Sequence, residues 1–160
     1  MSFNICYFFE RFPLRRGIVA QNLKIDLMIE EKIFAHLIDF ANQENIFSEV
    51  AGHISKSGFY PRLNSQQVDF VKMMKERMTL DPFNFEHIKE FDNEILNFLC
   101  LENILVKIDA EFLVTKEFFE NTITIVSNYI KKNESISVAE FRDLFNTSRK
   151  FALLIFFNIV

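Results

Sequence analysis

The sequence predicts a mostly α-helical protein of the α+β class that carries small β-hairpins. Apolar residues recur at helical spacing along most of the 160 residues, and short polar joints separate the helical segments. Two short runs are instead rich in β-branched residues, which is typical of strands. Only three Gly and three Pro occur and hydrophobic residues make up 49% of the chain, so the composition excludes a disordered or collagen-like protein.

Four helical segments are predicted in the middle of the chain, over residues 31–43, about 65–80, about 84–91 and 92–100. The first places a stripe of apolar side chains on one face. The second follows Asn64 and Ser65, either of which can cap a helix. It ends at Asp81, because Pro82 lacks the amide hydrogen that a helix needs and disfavours helical angles in the residue before it.

From residue 104 the pattern changes to short strands and then returns to helices. Two apolar, β-branched runs flank an Asp-Ala-Glu joint, which predicts a β-hairpin over residues 104–108 and 112–115. Three helices are predicted after it, over residues 118–132, 138–145 and 149 to about 157. Ser137 and Glu140 have the spacing of a capping box at the start of the second of these helices, and Thr147 or Ser148 can cap the third.

A helix-turn-helix followed by a β-hairpin is the pattern of a winged-helix domain, and the chain shows this pattern about three times. Residues 61–116 contain all of it. Residues 1–60 contain a version that is partial at its start, with a second helix inside residues 13–24 and a degenerate wing over residues 46–54. Residues 117–160 contain three helices and no wing. We therefore expect tandem winged-helix domains, of which the last is truncated.

The sequence lacks the motifs that common enzymes use. Its three Gly residues cannot form a phosphate-binding loop, and its three His residues are scattered singly, which argues against a metal site. Cys6 and Cys100 lie far apart among apolar residues, which raise the pKa of a thiol, so we interpret both as packing residues. Four carboxylates between residues 86 and 94 are typical of a solvated helix face. We expect no enzymatic activity, no metal and no cofactor.

The sequence also predicts where the protein works. It contains no run of about 18 uncharged apolar residues, and its first twelve residues lack the basic start and the small-residue cleavage site of a signal peptide. Two isolated Cys residues do not indicate a disulfide framework. We therefore expect a cytoplasmic protein that does not associate with a membrane.

Charge is unevenly distributed, although the net charge is only −4. Residues 61–120 carry 7 basic and 12 acidic side chains, whereas residues 121–160 carry 5 basic and 3 acidic ones. Within this positive segment, the last predicted helix starts with Thr147, Ser148, Arg149 and Lys150. Free amides at a helix start, two hydroxyls and two cations together suit a phosphate group. Arg can also fork onto guanine or stack on an unpaired base.

Three stretches of the chain resemble the bacterial selenocysteine-specific elongation factor family, SelB. Residues 137–152 closely resemble its last winged-helix domain, in which a stretch of the form V-A-E-F-R-D-x-x-x-T-S-R-K-x-A recurs. Residues 13–18, Pro-Leu-Arg-Arg-Gly-Ile, are similar to the N-P-L-R-x-G joint of an earlier domain. Residues 60–64, Tyr-Pro-Arg-Leu-Asn, are similar to a P-x-L-[ST] linker ahead of a helix. In that order, the three likenesses span nearly the whole chain.

The resemblance implies a function in selenocysteine incorporation. In that family a row of winged-helix domains forms the C-terminal half, the last of them binds the hairpin in selenoprotein mRNA, and an N-terminal GTPase half delivers selenocysteinyl-tRNA. This chain would correspond to the last three domains without the GTPase, so its partners would be the mRNA hairpin, the ribosome and a GTPase half if one is encoded separately. The wing that relatives carry after the last helix is missing, so we expect weak hairpin affinity and interpret both chain ends as truncations.

The same resemblance implies which residues touch RNA. Carried over by position, the contacts fall on Arg142, Thr147, Ser148, Arg149 and Lys150. Arg15 and Arg16 are candidate contacts to ribosomal RNA. Two other functions stay open at this point: a DNA-binding winged-helix transcription regulator, and an acidic winged-helix module that binds other proteins.

Overall fold

The computed structural model describes residues 5–83, 91–109 and 112–159. The chain divides into two compact units, Met1–Asn64 and Ser65–Val160. Within the described ranges helices predominate and the strands are short and antiparallel, which agrees with a mostly helical α+β protein. The division into three winged-helix domains, over residues 1–60, 61–116 and 117–160, stays a prediction.

The first unit combines helices with a three-stranded antiparallel sheet. Its described elements are α1 (Ile5–Arg11), β1 (Ile18–Val19), α2 (Ala20–Leu27), α3 (Glu31–Gln43), β2 (Phe47–Val50) and β3 (His53–Lys56). The strand order is β1-β3-β2, with Ile18 opposite Ile54 and Phe47 opposite Lys56. Ile18, Ile54 and Leu23 form a buried core with two residues of α3, because one face of each amphipathic helix packs on the sheet.

Two features of the first unit differ from the sequence prediction. The helix expected within residues 13–24 begins only at Ala20, because Ile18 and Val19 are extended and pair with β3. The wing predicted to be degenerate is a regular hairpin of β2 and β3. Ala51 and Gly52 at its turn both have positive φ, 52° and 74°, as tight hairpin turns require.

The second unit contains further helices and a two-stranded hairpin. Its described elements are α4 (Ser65–Leu80), α5 (Asn93–Leu101), β4 (Leu105–Lys107), β5 (Leu113–Thr115), α6 (Lys116–Asn133), α7 (Val138–Leu144) and α8 (Arg149–Ile159). The predicted end of α4 ahead of Pro82 is confirmed, and Asp92 caps α5 by accepting a hydrogen bond from the amide of Glu94 at 2.7 Å. The predicted short helix over residues 84–91 lies outside the described residues, apart from Phe91.

Aromatic side chains join the β4–β5 hairpin to the last three helices. Phe112 and Phe141 are each only 1% exposed and belong to one core cluster with Val126 and Ile155. Phe151 of α8 packs against Phe112 with ring centroids 5.7 Å apart. Phe112 and Phe141 therefore fill this core, and Phe151 lies at its edge. No described helix has the length and apolar character needed to cross a membrane.

Candidate nucleic-acid interface

The start of α7 is fixed by the capping box that the sequence predicts. Ser137 Oγ accepts a hydrogen bond from the Glu140 amide at 3.2 Å, and Glu140 Oε2 accepts one from the Ser137 amide at 2.7 Å. The hydroxyl of Tyr129 on α6 donates to Glu140 Oε1 at 3.1 Å. Hydrogen bonds from Ser137 and then from Tyr129 lower the pKa of Glu140, while the bond to Glu140 raises the pKa of Tyr129. This network ties α7 to α6.

A tight turn of Asn146 and Thr147 leads from α7 to α8. Asn146 has a φ of +46°, a left-handed conformation that Asn adopts more readily than most residues. The amide of Thr147 donates to the Arg142 carbonyl at 3.1 Å, as in the Schellman motif that ends many helices. The turn buries Thr147 Oγ1, for which the described residues provide no hydrogen-bond partner. The side-chain oxygen of Thr147 therefore does not reach the surface.

The start of α8 exposes the polar residues that the sequence singled out. Ser148 Oγ accepts a hydrogen bond from the amide of Phe151 at 3.4 Å, so Ser148 is the residue that caps α8. Ser148, Arg149 and Lys150 are all exposed. The ammonium of Lys150 lies 5.9 Å from the centroid of the half-buried Phe151 ring. A hydroxyl and two cations thus lie on the solvent side of one helix turn.

Arg142 is exposed but already has an acidic neighbour. Its Nε and Nη2 atoms both donate to Oδ1 of Asp143, at 2.8 and 2.5 Å. The two side chains are 45% and 67% exposed. An ion pair this exposed contributes only about 0–1 kcal/mol, so a phosphate could replace Asp143 as the partner of Arg142.

Arg15 and Arg16 belong to the first unit, in the loop between α1 and β1. Both are exposed, and the guanidinium carbon of Arg15 lies 3.9 Å from the centroid of the Phe12 ring. Between them and β1, Gly17 is buried against β3, since a Cβ atom there would lie 2.5 Å from the Ile54 carbonyl oxygen. The stretch that resembles the family's joint therefore combines packing residues with two exposed cations.

No role was predicted for Lys131 and Lys132, which are exposed at the C-terminal end of α6. They supply the remaining positive charge of residues 121–160, and the charge count of this segment was the sequence signal that could have identified them as exposed cations.

Among the described residues, no cluster of three or more His, Cys, Asp or Glu side chains could hold a metal ion.

The last part of the chain has the geometry of a helix-turn-helix: the short helix α7, a tight turn, and a second helix, α8, whose polar start faces solvent. Residues 128–156 match the family model described as elongation factor SelB, winged helix. This stretch contains the end of α6, all of α7 and most of α8, so this region is SelB-like. No curated protein sequence matches the chain significantly.

Proposed function

We propose that the chain is the hairpin-binding part of a selenocysteine-specific elongation factor and binds selenoprotein mRNA through the start of α8. The observation that carries this proposal is that the exposed polar residues lie within the stretch that matches the family model. The stretch that matches the SelB winged helix, residues 128–156, includes the exposed Ser148, Arg149 and Lys150 at the start of a capped helix.

The chemistry of this surface suits a folded RNA. The amides and hydroxyl at the start of α8 can donate to a phosphate, and the two cations neutralise its charge. Arg149 offers a planar guanidinium that can stack on a base splayed out of a hairpin loop. Arg142 can join the site by exchanging Asp143 for a phosphate. In this proposal Thr147, whose hydroxyl is buried and whose amide donates to the Arg142 carbonyl, shapes the turn that presents Ser148 and the two cations.

The wider assignment follows from the same resemblance. We propose that the chain has no enzymatic activity of its own and acts in the cytoplasm, where the mRNA and the ribosome are. A GTPase half supplied by a separate polypeptide would be its partner in delivering selenocysteinyl-tRNA. Arg15 and Arg16 are the residues we propose for contact with ribosomal RNA.

The binding of double-stranded DNA is disfavoured by the helix that would have to enter a groove. That helix would be α8, in which only Arg149 and Lys150 at the start are basic and the remaining residues are apolar apart from Asn158. Readers of the major groove instead present Arg, Lys, Asn or Gln to the bases and phosphates. A measured preference for duplex DNA over hairpin RNA would favour the DNA-binding function instead.

Fluorescence anisotropy with a labelled selenocysteine-insertion hairpin tests the proposal. Arg149→Ala should weaken binding by about 10- to 100-fold, since a hydrogen bond to a charged group contributes roughly 1.5–3 kcal/mol. It should also reduce the slope of log affinity against log salt by about 0.7–0.9, the value of one phosphate contact. Lys75→Ala, which removes an exposed cation from α4, outside the candidate interface, is the matched control and should bind like the wild type.

Two results would contradict this function. One is an Arg149→Ala affinity equal to that of the wild type in a chain whose circular dichroism is unchanged. The other is equal binding of the hairpin, an unstructured RNA of the same composition and a DNA duplex, because charge alone would then account for the interaction.

A further inference from the structure

Helix α3 carries an apolar stripe on its solvent face. Ile33, Leu37 and Phe40 follow one another at helical spacing and are 57%, 46% and 57% exposed. Phe34 and Ile38, one position further along, form the line that packs in the core of the first unit. The helix is thus apolar on two adjacent faces, of which only one is covered. Large apolar side chains lined up on a surface are a mark of an interaction site.

The same sequence pattern occurs a second time in this chain, and there the equivalent stripe is covered. Residues 40–47 and 98–105 share Phe at the first position and Glu-Asn-Ile at the fifth to seventh. Asn45 and Asn103 both end their helix with positive φ, 55° and 56°, and a hairpin follows in each case. Helices α3 and α5 are therefore equivalent, with residue numbers that differ by 58.

The equivalent stripe in the second unit, which begins just before α5, is buried. Ile33, Leu37 and Phe40 correspond to Phe91, Ile95 and Phe98, whose side chains are 7%, 7% and 8% exposed. The Phe91 ring packs on Phe70 of α4, with centroids 4.6 Å apart. A long amphipathic helix thus contributes to covering this face in the second unit. The described helix before the sheet of the first unit, α1, has 7 residues where α4 has 16.

Charge around the α3 stripe indicates the chemistry of what would cover it. On α3 and its flanking residues, 30–44, there are four acidic side chains and one basic one, Lys32. Glu44 continues the stripe one turn beyond Phe40, and Lys24 is already paired with Glu31. A partner that buries the stripe without repulsion therefore carries positive charge beside its apolar residues.

A second copy of this chain fits the stripe poorly. Three half-exposed side chains offer on the order of 300 Å² per copy, whereas a standard interface buries about 800 Å² on each partner. Pairing two such faces would also bring acidic side chains of the same sign together.

We propose that the stripe of Ile33, Leu37 and Phe40 docks a cationic amphipathic helix of another polypeptide. That helix presents large apolar or aromatic side chains at i, i+3 or i+4, and i+7, with Lys or Arg beside them, as in other helix-in-groove complexes. The proposal concerns the first unit and does not depend on RNA binding by α8.

The chain itself supplies a probe for this docking. A synthetic peptide with the sequence of residues 65–80 contains Phe70 and carries three basic against two acidic side chains. Labelled with fluorescein and titrated with the full chain, it should show saturable anisotropy changes that weaken as salt is added. Phe40→Gln should reduce its affinity about tenfold or more, since central aromatic anchors dominate such interfaces.

A matched variant in the second unit shows whether any loss of peptide affinity is specific to the stripe. Phe157→Gln replaces a Phe that is 75% exposed in the second unit, and it should leave peptide affinity unchanged. Both substitutions are at exposed positions, so each variant should keep the wild-type circular dichroism. No binding of the peptide to the wild-type chain, or equal losses in the two variants, would overturn the proposal. So would a concentration-dependent dimer in sedimentation that Phe40→Gln abolishes, because the stripe would then pair with itself.

Discussion

Gly17→Ala should destabilise the first unit strongly, because the structure leaves no room for a side chain there. A Cβ atom at this position would lie 2.5 Å from the carbonyl oxygen and 2.9 Å from the carbonyl carbon of Ile54. Both are backbone atoms of the central strand β3, so no side chain can rotate away to relieve the clash. Overpacking of this kind costs about 1–3 kcal/mol. In a unit of this size, that corresponds to a fall in Tm of roughly 5–20 °C.

Hydrogen exchange measured by mass spectrometry resolves this effect from the second unit. Gly17→Ala should lower amide protection in β1 and β3 while α6–α8 keep theirs. Gly52→Ala is the matched control: its φ is +74° and nothing lies within 4 Å of the added Cβ, so only a backbone cost of about 1–2 kcal/mol is expected and the β1–β3 pairing stays. An unchanged Tm together with unchanged exchange in β3 for Gly17→Ala would refute the reasoning, since the two strands could not then approach as described.

Three further predictions concern the second unit. Phe141→Ala should lower the free energy of unfolding by about 3–5 kcal/mol, because it opens a cavity in the core, and a loss below about 1 kcal/mol in urea titrations would contradict the packing. The stability contributed by Glu140 should be present above the pKa of an unfolded Glu, about 4.3, and should be lost as pH falls through its lowered folded pKa. Glu140→Gln should therefore flatten the decline of Tm in acid, and an unaltered pH profile would argue against the network. Cys100, whose pKa is raised by burial, should react slowly with iodoacetamide at pH 8 until the chain is unfolded in urea, whereas equal rates before and after unfolding would show an exposed thiol.

Much of the candidate site could be predicted from the sequence, because its signals act within one helix turn. The capping box of Ser137 and Glu140 and the start of α8 depend on residues three or four positions apart. Which of Thr147 and Ser148 faces solvent could not be predicted, since either hydroxyl suits a cap. The choice follows from how the turn at Asn146 packs, and this buries the oxygen of Thr147.

The sequence by itself determined helices α3 to α8, the β4–β5 hairpin and the polar start of the last helix, since periodicity, capping and Pro act locally. Only the tertiary structure decided that Ile18 and Val19 form a strand, because a two-residue strand depends on its distant partner, Ile54 and His53. It also decided which apolar stripes are covered. Phe40 and Phe98 occupy equivalent positions and are 57% and 8% exposed, because burial depends on neighbours that the local pattern does not specify.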